Sequence, residues 1–303
     1  MGFCVVREAI STIYERAGAE KEAGGQVISA IADEGLHGML MEVTGDEEAG
    51  YLPVRTFYGY RGYILKEDVR LLDRWEAEGW EGSDLKVVGG GCVDVVSLPR
   101  VQGVRLVSLF RGSIVQVLDW NSEEAGWARV CLADGRTGYM RNQYLWDKWF
   151  SQSGVWLGTV CQREIPDEEG FRKRVVETAR TFLGTQYRWG GRSAAGIDCS
   201  GLTSASYMLN GILTYRDAKI VEGYPVHEIK RENKKPGDLL YFPGHIAMYT
   251  GDGMYIHSTG RIGSGGVVYN SLLPESPLYR KDLADSLYAV GSIFRTACQA
   301  REN

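Results

Sequence analysis

Apolar residues recur in short bursts along the first half of the chain, each closed by glycine or an acidic turn. Bursts at 26–31, 39–43, 50–55 and 62–64 are spaced like short antiparallel strands and predict a small barrel over residues 1–80. Residues 71–80 read as a short helix or a linker. The texture then recurs, with bursts at 86–88, 104–106, 113–118, 126–130 and 138–140. Gly50-Tyr51-Leu52-Pro53-Val54 and Gly62-Tyr63-Ile64 parallel Gly126-Trp127-Ala128-Arg129-Val130 and Gly138-Tyr139-Met140. In both copies the second glycine lies twelve residues after the first. Such a repeat predicts two copies of one fold, the second over residues 81–160.

From about residue 165 the period changes. Pro166-Asp167-Glu168-Glu169 is a helix start, with an N-cap candidate and acids in the first turn. Phe171, Val175, Ala179 and Phe182 share one helical face, and Gly184 fits the stop. A second helix is predicted from Cys199 to Asn210, with Leu202, Ser206 and Leu209 on one side. Strands are predicted at 238–243, 245–250, 253–258, 267–270 and 287–294. Helices followed by an antiparallel sheet make an α+β domain over residues 165–300.

Length and composition bound the function. The 303 residues suit two or three domains. Glycine, at 39 residues, is close to twice its usual ~7% share, as turn-rich β structure requires. A net charge of −5 gives no footprint for nucleic acid. No apolar run approaches the ~20 residues that span a bilayer. Cys4, Cys92, Cys131, Cys161, Cys199 and Cys298 are scattered without zinc-like spacing, so neither a metal nor a cofactor is expected. Met1-Gly2-Phe3-Cys4 does not open a signal peptide, and a cytoplasmic location with reduced thiols is the expectation.

The chemistry gathers in the last third. Cys199 opens a predicted helix, where the dipole and free N–H groups lower a thiol's pKa and can hold an oxyanion. His245 and His257 lie in consecutive strands and are symmetric about residue 251, so an odd loop would set them directly opposite, as base and orienter. A lone buried cysteine is usually only a small hydrophobe, and a strand histidine usually only a satisfied polar group. The combination of the three points to nucleophilic catalysis.

Residues 168–298 resemble an NlpC/P60 cysteine peptidase domain. The resemblance rests on Phe182-Leu183-Gly184-Thr185-Gln186-Tyr187-Arg188-Trp189-Gly190-Gly191, Asp198-Cys199-Ser200-Gly201-Leu202 and Pro236-Gly237-Asp238-Leu239-Leu240-Tyr241-Phe242. It continues through His245-Ile246-Ala247-Met248-Tyr249 and Tyr255-Ile256-His257. The repeats before it resemble bacterial SH3 domains. The expected architecture is therefore multidomain: two SH3-like β-barrels followed by an α+β papain-like (NlpC/P60) domain. The arrangement resembles γ-D-glutamyl-L-diamino acid endopeptidases of murein peptide recycling. These cut after D-Glu in murein-derived peptides with a free N-terminal L-Ala.

The resemblance implies that Cys199 is the nucleophile, His245 the base and His257 its orienter. It places Tyr187 near the oxyanion, and Asp198, Ser200 and Tyr60 against the substrate. A carboxylate at Asp198 beside a free α-amine makes a charge-assisted contact, and it is also a helix cap. Asp33 and Glu34 are candidates for a further acid. Ala218 stands where related enzymes can carry a substrate-binding serine; Arg188, Arg192 and Arg261 are possible substitutes, although the surface is the commoner place for arginine. The alternatives are an exported cell-wall hydrolase, an N-acetylmuramoyl-L-alanine amidase acting on intact peptidoglycan, or a non-catalytic wall-binding protein.

Overall fold

The structure, a computed structural model, describes residues 2–121, 124–152 and 165–294. Cys161 and Cys298, with the expected end of the second repeat at residue 160, lie outside the described residues. The chain divides into two compact units, Met1–Thr159 and Val160–Asn303.

The first unit holds two seven-stranded sheets. One is built from Gly2–Val6 (β1), Ile10–Tyr14 (β2), Ile31–Leu36 (β3), Leu40–Val43 (β4), Tyr51–Thr56 (β5), Arg61–Leu65 (β6) and Val69–Leu72 (β7). The other uses Leu85–Val88 (β8), Cys92–Val96 (β9), Arg105–Phe110 (β10), Ile114–Trp120 (β11), Trp127–Cys131 (β12), Thr137–Arg141 (β13) and Leu145–Asp147 (β14). Their orders are β3-β2-β6-β5-β4-β1-β7 and β10-β9-β13-β12-β11-β8-β14, the same path taken twice. The repeated glycines explain their own spacing. Gly50 and Gly126 both have positive φ (86° and 83°) at the turn before the fifth strand of each copy. In the sixth strands, a Cβ on Gly62 would lie 2.4 Å from Ile13 Cγ2, and one on Gly138 2.7 Å from Val95 Cγ1. The burst at 26–31 is divided: Gln26–Ser29 pairs with Glu20–Ala23 in a separate hairpin, and Ile31 begins β3. The segment at 71–80 resolves into the end of β7 and a helix, Arg74–Glu81 (α1), with a capping box between Asp73 and Glu76.

The two sheets are joined at the turn between β3 and β4. His37 Nδ1–H donates to Arg7 O (2.9 Å), so Nε2 is the acceptor for the N–H of Ala133 (3.1 Å). The His37 carbonyl accepts the N–H of Ile114 (2.7 Å). At Gly38, whose φ is +77°, a Cβ would fall 2.1 Å from Ile114 O, so no other residue fits.

The second unit carries Glu168–Arg180 (α2), Cys199–Met208 (α3) and Lys281–Ser286 (α4). Its six-stranded antiparallel sheet is made of His227–Ile229 (β15), Leu239–Phe242 (β16), His245–Gly251 (β17), Met254–Thr259 (β18), Gly266–Ser271 (β19) and Ala289–Ser292 (β20), in the order β15-β20-β16-β17-β18-β19. Asp167 caps α2, and Phe171, Val175, Ala179 and Phe182 are buried as the periodicity predicts. α3 is two residues shorter than expected and buried on every side. The period of two along β17 and β18 sends Ile246, Met248 and Ile256 into the core with α2 and α3. Ala247, Tyr249 and Tyr255 go to the other face, where Leu287 and Val290 pack.

Candidate active site

Asp198 begins the site. Its carboxylate accepts the N–H of Gly201 and caps α3, and it also accepts the N–H of Gly190 (2.9 Å). A Cβ on Gly201 would meet Gly191 O at 2.1 Å, so glycine lets the helix start press against the Gly190-Gly191 turn. Cys199 is thereby fixed at the first helical position, 7% exposed, with the backbone N–H groups of Ile246 and Ser200 facing its sulfur. The expected lowering of its pKa does not occur. Burial first, then the charge of Asp198, pushes the thiol up to about 11, so the resting group is a neutral thiol that needs a base.

The candidate base, His245, is the residue next to Ile246. The rings of His245 and His257 meet with Nε2 of the first 2.7 Å from Nδ1 of the second. His257 Nε2 lies 2.9 Å from Asn270 Oδ1, and Asn270 Nδ2 donates to Leu278 O (3.0 Å). The last bond orients the amide and thereby sets every proton before it. Oδ1 accepts, so His257 carries its proton on Nε2 and accepts at Nδ1. His245 then donates from Nε2 and keeps an unprotonated Nδ1. The two histidines share a sheet face but are not directly opposite. The register Met248↔Ile256 sets His257 across from Ala247, because the irregularity between Tyr249 and Gly251 shifts the pairing. They meet as a diagonal pair instead.

Asp198 and Ser200 are already engaged. Arg216, 1% exposed, donates from Nη1 to Asp198 Oδ1 (3.1 Å) and Ser200 Oγ (2.8 Å), and from Nη2 to Asp198 Oδ2 (3.1 Å) and Gly190 O (3.0 Å). Tyr187 is near enough that Cys199 and Asp198, after burial, raise its hydroxyl above the usual tyrosine range. Tyr60 lies in the first unit, half-buried between β5 and β6, its N–H bonded to Thr56 Oγ1 (3.0 Å). Asp33 and Glu34 are buried in β3, Asp33 accepting from the Tyr58 hydroxyl. Arg192 is buried rather than at the surface. Ala218 packs on the core that includes Cys199. Sequence spacing gave no sign of Arg216 or Asn270, whose partners are 18 and 13 residues away. Among the described residues, no group of three or more His, Cys, Asp or Glu could hold a metal.

Burial lowers His245 to about 3 and His257 to about 4, and lowers His37 in the first unit as well. In the unfolded chain each takes up its proton near pH 6.5. Between that pH and the folded values the unfolded state binds more protons, so stability falls as pH falls. Each histidine contributes a slope of up to about 1.4 kcal/mol per pH unit in that window and none above it. Chemical unfolding at pH 7.5, 6.0 and 5.0 should show a loss confined to the two acidic points. His37→Gln should flatten the part that belongs to the first unit.

A thiol at a helix start with a doubly oriented imidazole is the equipment of a peptidase. The sequence model of the NlpC/P60 family matches residues 184–278. Dipeptidyl-peptidase 6 of Lysinibacillus sphaericus is 40% identical over 265 residues, covering 87% of this chain and 92% of that protein. Gamma-D-glutamyl-L-lysine dipeptidyl-peptidase of Bacillus cereus is 33% identical over 145 residues, 45% of this chain and 39% of its own length. The crystal structure of an NlpC/P60 family protein from Bacillus cereus shares the fold, with a TM-score of 0.68 at 19% identity, over 95% of this chain and 98% of that one. The chain is a peptidase, and it belongs to the NlpC/P60 family. No helix among the described residues is long and apolar enough to cross a membrane.

Proposed function

We propose that the enzyme is a cysteine dipeptidyl-peptidase that hydrolyses the γ-D-glutamyl–diamino acid bond of murein-derived peptides with a free N-terminal L-Ala, releasing L-Ala-γ-D-Glu. The observation that carries this reading is the hydrogen-bond chain from Leu278 through Asn270 and His257 to His245, which leaves Nδ1 unprotonated on the residue next to Ile246, whose N–H faces the Cys199 sulfur. Release of a dipeptide is supported by the names of both relatives and the γ-D-glutamyl bond by the name of the second, while the free L-Ala end is what the family resemblance implies. His245 Nδ1 takes the thiol proton as the sulfur attacks the γ-carbonyl, then gives it to the departing amine. Water hydrolyses the thioester by the same route. Tyr187 and the N–H groups at the start of α3 support the oxyanion, and His257 holds His245 in its tautomer.

Asp198, neutralised by Arg216, is a structural anchor whose remaining reach is toward the substrate with Ser200. The two seven-stranded sheets are SH3-like barrels, giving three domains in all, and Tyr60 of the first contributes to substrate recognition. The test is mass spectrometry of products from the free L-Ala-γ-D-Glu-diamino acid tripeptide, its N-acetylated form and intact murein. L-Ala-γ-D-Glu should be released from the free tripeptide, with kcat/KM at least about tenfold above that of the acetylated one, the worth of one charge-assisted contact. A ratio near one, or release from intact murein, moves the assignment to a wall hydrolase or amidase.

A further inference from the structure

An open groove of about 770 Å³ is lined by Arg261, Tyr279, Arg280, Lys281, Asp282 and Asp285. Arg280 sits where the chain leaves β19 and enters α4. Its N–H donates to Ser271 O (3.1 Å), and its carbonyl accepts the N–H of Ala284 (2.8 Å). Asp282 grips one edge of the guanidinium, with Nε 2.8 Å from Oδ1 and Nη2 2.7 Å from Oδ2. That fork fixes the plane of the group. Its third nitrogen, Nη1, is buried and has no hydrogen-bond partner among the described residues. The hydroxyl of Tyr255 is likewise buried and unpartnered. Tyr255 is edge-on to His257 at 5.1 Å between ring centroids, and the charge of Arg280 reaches its hydroxyl. Buried polar atoms without partners are costly, and a bound ligand would satisfy them.

The electrostatic neighbours divide the site into two flanks. Asp198 and Arg216 act on Cys199, whereas Arg280 and Asp282 act on His245 and His257. A base that protonates the leaving amine stands beside the part of the substrate that leaves. The groove therefore faces the released residue. Its ion pairs are Arg280 with Asp282 and Lys281 with Asp285, and Arg261, 3.8 Å from Asp282, is the cation in excess.

We propose that Arg280, braced by Asp282 and assisted by Arg261, binds a side-chain carboxylate of the released diamino acid. The enzyme then selects a residue such as diaminopimelate over lysine. This rests on the hydrolysis proposed above. Diaminopimelate ends its side chain in an ammonium and a carboxylate, lysine in an ammonium alone. Only the first supplies the anion that Nη1 lacks, and the mixed lining suits both of its charges.

The test compares kcat/KM for L-Ala-γ-D-Glu followed by diaminopimelate, by diaminopimelate amidated on its side-chain carboxylate, by diaminopimelate amidated on its main-chain carboxylate, and by lysine. Wild type should favour the free side-chain carboxylate over the amidated and lysine peptides by roughly 10- to 100-fold. Arg280→Gln should bring that ratio close to one. Arg280→Lys, which keeps the charge and loses the fork, should fall between them. The ratio divides out any general effect of a substitution on folding or on the histidines, and the wild-type arm needs no variant. Absence of preference in wild type, its survival in Arg280→Gln, or a preference that follows the main-chain carboxylate would overturn the assignment. If wild type cleaves none of the four peptides, the functional reading falls and the subsite with it.

Discussion

Cys199→Ala should lower turnover of the free tripeptide by at least ~10⁴-fold while the protein stays folded. In the proposed reaction the sulfur is the atom that bonds to the acyl carbon, and nothing else at the start of α3 can replace it. Ser200, the adjacent hydroxyl, is bound to Arg216 and Asp198. Alanine is the best helix former, and the substitution removes one buried atom, at a cost of about 1 kcal/mol. The circular dichroism melt should therefore barely move, whereas product release measured by mass spectrometry should vanish. Residual activity above about 5% would remove Cys199 from the reaction. Cys92→Ser, at an exposed position in β9, should leave the rate as it is.

The largest loss of stability should come from Arg216→Met. The guanidinium is the cation that compensates Asp198, and both are buried. Removing one partner of a buried pair leaves the other charged and desolvated, at a cost of about 3–5 kcal/mol. With a urea slope of about 1–3 kcal/mol per molar, the midpoint of the transition should drop by roughly 1–5 M. Adding Asp198→Asn should recover much of that loss, because the uncompensated charge is then gone while a cap for α3 remains. A double variant no more stable than the single one would show that Arg216 acts through packing and not through charge.

Features fixed by local rules were legible in the sequence. The glycines at 50, 62, 126 and 138 announced a repeated sheet: Gly62 and Gly138 recur at the same spacing where a neighbouring strand leaves no room for a Cβ, and Gly50 and Gly126 answer a local backbone demand. Asp167 and Asp198 marked helix starts for the same reason. Cys199, His245 and His257 could be grouped because one is at a helix start and two are in neighbouring strands. What stayed hidden depends on distant partners or on burial. Arg216 and Asn270 become informative only when the fold brings them to Asp198 and His257. The helix start implied an acidic thiol, but burial and then the charge of Asp198 push it the other way once α3 is enclosed. The diagonal offset of the histidines came from an irregularity near Gly251 that strand counting does not register.

His37 couples the two halves of the first unit through hydrogen bonds to both Ile114 and Ala133. These halves are consequently not beads that can be shuffled or trimmed one at a time. Separating them strands an imidazole nitrogen, a carbonyl and two amides, so a cut after β7 forfeits bonds in the half that remains. The amide protons of Ile114 and Ala133 should trade with deuterium only when both halves open together, as a single cooperative foldon despite the repeated strand order.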